Sequence, residues 1–540
     1  MSHGLIHEPM WIGDLDRAPK VCGGDIELGN FISGVDSVYG TGRMAARLLL
    51  NEIHGYPVDG ARSTGYKFNP QDWGRQFLKE NGGCAYIDLD HLELALPEVR
   101  SAYDHLACWH AMLRIARDAL DAVNERLLSG RRIVALVNNS DGQGNSYGSH
   151  LDFLITRRAW DNIFQRRMHH LLVLASYQAS SLVFTGQGKV GSENGRPPVD
   201  YQISQRADFF EVLVSIETML HRPLVNSRDE PLCGKRSSAD GAFDAASRLA
   251  RLHCIFYDNT LCHAASLLKV GVMQIILAMI EADQINPALI LDQPLDAVQL
   301  WSRDPSLRAQ ARLIGGELYT AVDLQLRFLE EATVFVESGG CDGVVPRARE
   351  ILNLWADTLE KLKTADFSSL ARRLDWVLKQ SLIQRTMDRY PELTWTSPEL
   401  KRLDLMYSSL GDGLYWACER QGQVERLVTD GQIERFVHEP PDDTRAWTRA
   451  RLLRCAKPHE VEKVDWDELR FWCRDAEGES LKAIRLSNPL AHTRSDCHQV
   501  FQQTNNLPEL LDRLGAESES RLITPSWRLE QPSQPLGDVT

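Results

Sequence analysis

The chain has 540 residues, 43% hydrophobic and 25% charged, proportions that suit a folded protein with one large domain and a small one, or three ordinary domains. A formal net charge of −14 argues against a general nucleic-acid binder, which presents a basic face, and leaves room for an acidic metal site. The 11 cysteines include no Cys-x-x-Cys pair and their number is odd, so neither a zinc ribbon nor a secreted disulfide framework is expected.

Residues 1–20 show no basic stretch followed by an apolar one, so no signal peptide is expected. No run reaches the roughly 18 apolar residues of a membrane span; the closest, Val270 to Ile280, is interrupted by Gln274. A reducing cytoplasm is the expected location. In chain order, an irregular lead gives way to a strand over Lys20 to Leu28. A glycine-rich segment, Gly29 to Gly42, precedes a helix over Met44 to Ile53. Gly55 to Gly83 reads as a long loop with a short helical piece around Asp72 to Glu80. Cys84 to Leu89 is β-like, His105 to Ser129 a helix, and Arg132 to Val137 a strand ending at Asn138-Asn139. Leu151 to Val225 mixes strands with one helix, and Glu230 to Gly241 reads as a mobile loop. Helical spacing then dominates: Ala264 to Ile285, Leu318 to Val336, Pro346 to Lys363 and Leu370 to Met387. Composition shifts again near Lys457, a helix is expected over Leu507 to Leu514, and Thr524 to Thr540 reads as a flexible tail. The resulting division is a large domain over 1–455, a small one over 456–523 and a tail over 524–540.

Asp25-Ile-Glu27 has strand period, so both carboxylates fall on one face and repel unless a cation lies between them. Taken alone, such a pair is more often a solvated face. A second acidic cluster, Asp88, Asp90, His91, Glu93 and Glu98, is interleaved with Ala85, Ile87, Leu92, Leu94 and Leu96. Carboxylates buried among apolar residues need a partner, and a hard cation supplies one; the bland reading is an edge strand protected by charge. The polar stretch Asn138 to His150 holds three glycines and can turn backbone N–H groups toward an anion such as phosphate. Its glycine spacing is not that of a dinucleotide fingerprint, and Gly186-Gln-Gly-Lys189 is not a P-loop. Arg206 and Arg228 carry guanidinium groups suited to phosphate, or equally to ion pairs with neighbours such as Asp229 and Glu230.

Taken together, Gly24-Asp-Ile-Glu-Leu-Gly29, Tyr86-Ile-Asp-Leu-Asp-His-Leu-Glu93, Asn138 to His150 and Ile203-Ser-Gln-Arg206 resemble the Pup ligase and depupylase family. Its two branches are proteasome accessory factor A and the deamidase of Pup. Asn226-Ser-Arg-Asp-Glu-Pro231, Leu268-Lys-Val-Gly271, Arg303-Asp-Pro-Ser-Leu-Arg308, Arg373-Leu-Asp-Trp376 and Asp443-Thr-Arg-Ala446 continue the resemblance in order. It implies an α+β fold: a glutamine-synthetase-like, curved, mostly antiparallel sheet with helices packed on one side, plus a small C-terminal domain. It implies ATP and Mg²⁺ as cofactors, a Pup-like small protein modifier and lysine-bearing target proteins as partners, and neither nucleic acid nor membrane. By the same resemblance, Asp25, Glu27, Glu93 and His150 are metal ligands and Asp88 is catalytic, with nucleotide contacts expected from Glu27, Ser146, Arg206, Arg228 and Arg445.

The chain departs from the family's pattern in three places. Asp25 stands where glutamate is usual, His91-Leu-Glu93 replaces His-Pro-Glu, and Leu151 stands where a glutamate follows the histidine. The reaction implied is ATP-dependent isopeptide formation between the modifier's C-terminal glutamate and a target lysine, through an acyl phosphate. Hydrolysis of that bond, or deamidation of a C-terminal glutamine, is the alternative, and a weakened homologue acting as a regulator is a third. The interval from Glu27 to Asn81 lies between the two branches in length, and the reading leans to ligase.

Overall fold

The computed structural model describes residues 17–57, 74–128, 130–218, 221–233, 248–475 and 478–519. The irregular lead, most of the segment from Gly55 to Gly74, the loop from residue 234 and the tail over 524–540 lie outside them.

The alternation around Asp25 and Glu27 folds as the long strand β1, Cys22–Ser33. It runs through Gly29 instead of ending there, because Gly29–Ser33 pair with Arg132–Leu136. Gly29 serves close approach: a Cβ at that position would lie 2.2 Å from the Tyr147 hydroxyl. The other short strands are β2 (Tyr56–Pro57), β3 (Gln76–Phe77), β4 (Cys84–Asp88), β5 (His91–Ala95), β6 (Arg132–Leu136) and β7 (His150–Thr156). β3 corrects the helical piece expected around Asp72 to Glu80: Gln76 and Phe77 pair with Ala85 and Cys84, and the ladder outweighs local preference.

The main sheet runs strand Leu249–Cys254, β7, β1, β5, β4, β3, β2, with β6 on the second half of β1, and every pairing is antiparallel. The register sets two unlike faces. One carries Ile26, Leu28, Ile87, Leu92, Leu94, Leu151 and Phe153, which join helix residues such as Ala45, Leu49, Leu106 and Met273 in one core. Each such side chain contributes about 2 kcal/mol by leaving water. The other face carries the carboxylates. Behind the core runs the helix His263–Glu281, buried from end to end. By length and composition it could cross a membrane, which the interrupted Val270 to Ile280 run did not suggest; here it is wholly enclosed.

Helices that went unread in the sequence include Pro294–Ser302, Pro398–Tyr407, Leu414–Arg420, Asp430–His438, Ala446–Cys455 and Arg494–Gln503. They are short and take their stability from packing more than from propensity. Likewise the mixed stretch after Leu151 holds two α-helices, Arg157–Asp161 and Met168–Thr185, where one was expected. The C-terminal part forms a four-stranded antiparallel sheet of Val461–Val464, Glu468–Asp475, Gly478–Arg485 and Glu517–Glu519. Its Phe471, Ile484 and Leu510 share a core with Tyr56, Phe77, Cys84 and Tyr86 of the main sheet's edge.

Candidate active site

Strand register builds the site. Glu27 on β1 lies opposite Glu93 on β5, and Glu93 lies opposite Tyr86 on β4. Asp25 lies opposite His150 on β7, and Asp152 lies opposite His253 of the next strand. Period-two alternation therefore gathers Asp25, Glu27, Tyr86, Asp88, Glu93, His150, Asp152 and His253 on one face. One ligand atom from each of Asp25, Glu93 and His150 lies within 4.8 Å of the others, and so does one from each of Glu27, Asp88 and Glu93. Glu93 belongs to both groups.

Burial and mutual repulsion raise the proton affinity of these acids. Asp25 is pushed up to about 8 by burial and by Asp152. Glu93 rises well above the usual carboxylate range through burial, Glu27 and Asp25, and Glu27 also rises on burial. Four converging carboxylates with one imidazole form a mainly oxygen donor set with an excess of negative charge, which fits a hard divalent cation. Tyr86 donates its hydroxyl to Glu93, and Gly148 N–H donates to Glu27 at 2.5 Å. The polar loop was read as turning N–H groups toward phosphate; the anion that Gly148 meets is this protein's own Glu27.

A cavity of about 420 Å³ opens over the face, lined among others by Asp25, Arg75, Tyr86, Asp88, Glu93, His150, Arg228 and Trp466. Arg75 stacks over the Tyr86 ring at 4.2 Å, and Arg449 over Trp466 at 4.8 Å. Asp88 ends β4 at a tight turn in which Leu89 adopts φ 51°, a left-handed conformation strained for leucine. Burial raises Asp88 while His91, Arg75 and Arg228 pull it back, which places both arginines near that carboxylate. Sequence reasoning missed Arg75, Tyr86 and Trp466. Tyr86 was visible as the residue two before Asp88; the other two become neighbours only through folding.

The remaining expected residues fall in different places. Arg228 lines the cavity, with Nη1 4.0 Å from Glu230. Arg206 is fully buried and absent from the cavity lining; its Nη1 donates to the carbonyls of Ser149 at 3.1 Å and Tyr257 at 3.2 Å. Ser146 is also absent from the lining, with its carbonyl accepting from Arg222 at 2.7 Å. Arg445 lines the cavity, but its guanidinium donates to Glu98 at 2.8 Å and to the carbonyls of Leu486 and Leu232 at 2.8 and 2.7 Å. Arg445 is held by protein groups, whereas Arg206 Nε and Nη2 and Ser146 Oγ are buried with no hydrogen-bond partner among the described residues.

Leu151 lies on the apolar face, away from the carboxylates. It is paired with Gly24 on the apolar face, its Cδ2 3.3 Å from where a Cβ at Gly24 would be. A carboxylate there, in this register, would point away from Asp25. Asp152 occupies the site face and is held by Arg251 at 2.9 Å and His253 at 2.8 Å. Burial would raise its pKa, but Arg251 and His253 outweigh that and lower it.

Behind His150 lies Lys269, buried on the core helix with no carboxylate salt bridge among the described residues. Its amine donates to the Asp258 carbonyl at 3.0 Å and to Ser149 Oγ at 3.4 Å, and lies over the Trp109 ring at 4.6 Å. Burial lowers it to about 7 against the pull of Asp375 and Asp258. Lys269 and Arg206 thus both grip the residue that precedes His150.

The main sheet thus gathers its carboxylates on one face and packs its helices behind the other. A family model described as Pup-ligase protein matches residues 50–470. The chain is 33% identical over 470 residues to a depupylase of Acidothermus cellulolyticus, covering 86% of this chain and 88% of that protein. It is also 33% identical over 474 residues to a Pup--protein ligase of Acidimicrobium ferrooxidans, covering 85% and 96%. The crystal structure of the complex between the prokaryotic ubiquitin-like protein Pup and its ligase PafA superposes with a TM-score of 0.73 at 26% identity, over 90% of this chain and 92% of that one. The chain belongs to the Pup-ligase family.

Proposed function

We propose that this protein is an ATP-dependent ligase that joins the C-terminal glutamate side chain of a Pup-like modifier to a lysine of a target protein. The observation that carries the reading is the pair of ligand groups sharing Glu93 beside Asp88 on one face of the sheet. Relatives of the chain include Pup--protein ligases, and a similar structure is a Pup ligase in complex with ADP, 27% identical with a TM-score of 0.65.

Asp25, Glu27, Glu93 and His150 would hold Mg²⁺, with Tyr86 fixing the Glu93 carboxylate through its hydroxyl. Bound Mg–ATP supplies the phosphoryl group that activates the modifier's carboxylate, amide formation from a free carboxylate being uphill in water. Arg228 and Arg75, at the cavity wall, are placed to orient anionic groups. Asp88 takes a proton from the incoming lysine, which cannot attack as an ammonium. Burial raises its pKa, which makes it a stronger base than a solvated carboxylate.

The reverse chemistry is kept as a second reading because the depupylase of Acidothermus cellulolyticus matches over as much of the chain as the ligases do. The same Asp88 would then act on water. The test is to incubate the protein with Mg–ATP, a Pup-like modifier ending in glutamate and a lysine-bearing acceptor, and to follow the conjugate by gel shift. Wild type forms conjugate, and Asp88→Asn lowers the rate by about 10²–10⁴. Release of modifier from preformed conjugate, with no forward conjugation, would establish the second reading instead.

A further inference from the structure

The turn that follows Asp88 carries a residue its local environment does not explain. Leu89 takes a left-handed backbone, φ 51°, where glycine or asparagine is the ordinary choice, and it is 59% exposed. Neither backbone preference nor burial accounts for a leucine at that position. Its N–H donates to the Asp88 carboxylate, so the same turn fixes the group that takes the proton. Asp90 follows, also exposed. The turn is held in place from behind: Asn30 Nδ2 donates to the carbonyls of Asp90 at 2.9 Å and Gly42 at 2.7 Å, and Asn30 Oδ1 accepts from Leu92 N–H at 2.8 Å.

Asp88 therefore has two unlike sides. Toward the cavity stand Arg75 and Arg228, which suit phosphate and carboxylate groups and repel an ammonium. Asp88 lines that cavity, whereas Leu89 and Asp90 lie outside its lining and face solvent next to it. We propose that Leu89 and Asp90 form the lip over which the target's lysine enters, Leu89 packing on the aliphatic stem and Asp90 meeting the ammonium. This rests on the ligase reading above. A lysine side chain joins an apolar stem to a cationic head, and a leucine beside an aspartate presents the matching pair. Asp88 takes one proton from the ammonium, and the freed amine nitrogen bonds to the acyl carbon. Phosphate leaves with the electron pair of the broken C–O bond and the amine's second proton. Anionic groups and the cationic lysine thus reach Asp88 from opposite sides.

The test compares two nucleophiles on the full chain with Mg–ATP and a Pup-like modifier ending in glutamate. One is a lysine-bearing peptide; the other is hydroxylamine, which traps an acyl phosphate as hydroxamate but has neither stem nor charge near neutral pH. The readout is the ratio of kcat/KM for the peptide to that for hydroxylamine. Leu89→Asn suits the left-handed turn, so its Tm holds or rises, while the ratio falls by about tenfold through the peptide's KM. Leu89→Met, apolar and of similar volume, keeps the ratio within about twofold of wild type. Asp90→Asn lowers it by about threefold, and by less at high salt. An unchanged ratio in Leu89→Asn would overturn the inference, as would a loss in Leu89→Met equal to that in Leu89→Asn. Absence of hydroxamate from wild type would bring down the ligase reading, and the lip with it.

Discussion

The two faces of the main sheet are made from the same strands, residue by residue in alternation, yet they obey opposite rules. On the back face, Ile26, Leu28, Leu92, Leu94 and Leu151 are buried because burial is favourable for them. On the front face, Asp25, Glu27 and Glu93 are held out of water and near one another, and their raised pKa values record the cost of burial first and of repulsion second. One face stabilises the fold and the other draws on that stability to hold a charge distribution that a proton or a cation relieves. A residue's role in this protein therefore depends on its parity along the strand as much as on its chemistry.

The sharpest way to break that comparison is Leu151→Glu, which puts the family's usual residue back. A carboxylate on the back face would be buried among apolar groups and cost about 5 kcal/mol. The expected outcome is a large fall in Tm with no gain in Mg²⁺ affinity; tighter Mg²⁺ binding at unchanged Tm would show that the face assignment is wrong.

Glu98 shows what paired burial looks like next to the unpaired acids. Burial alone would raise it, but Arg449 and Arg445 hold it at about 2. A carboxylate depressed in the folded state contributes stability that is full above its unfolded pKa of about 4.5 and lost as pH falls toward 2. Glu98→Gln should cost about 3 kcal/mol near neutral pH and flatten the acid limb of the Tm profile between pH 4.5 and 2. An unchanged acid limb would remove the clamp from the account.

Asp25 runs the other way. Its pKa of about 8 without a cation means that the metal-free protein loses stability as pH rises from about 4 toward 8, and that Mg²⁺ must displace a proton below pH 8. Mg²⁺ affinity is expected to climb by up to about tenfold per pH unit toward pH 8, measured by calorimetry in buffers of different ionisation heat. In Asp25→Asn the remaining slope should be shallower; an identical slope would assign the proton elsewhere.

Lys269 tests how the back of the site supports its front. Lys269→Met removes a buried amine that has no carboxylate salt bridge among the described residues, so Tm should hold or rise. Mg–ATP affinity should nevertheless fall by about tenfold, because Ser149, and with it His150, loses an anchor. A fall in Tm with unchanged affinity would make the lysine a packing residue only.

Much of this was legible in the sequence because it is local. Asp25 and Glu27 two apart on a strand, Asp88 and Glu93 flanking a turn, and the apolar residues between them follow from period two, and the ordered motifs named the family. In the fold Asp25, Glu93 and His150 converge in one group, and Glu27 joins Glu93 and Asp88 in another. What sequence could not supply was register and depth. That Leu151 faces the helices, that Arg445 is held by Glu98, and that Arg206 grips Ser149 from behind all depend on pairings between residues far apart in the chain. Arg75 and Trp466 reach the cavity the same way. By itself the sequence determined which residues could share a face, since alternation is a property of each strand alone. Only the tertiary structure decided which faces meet, because strand pairing and the packing of buried side chains are set by the whole core at once.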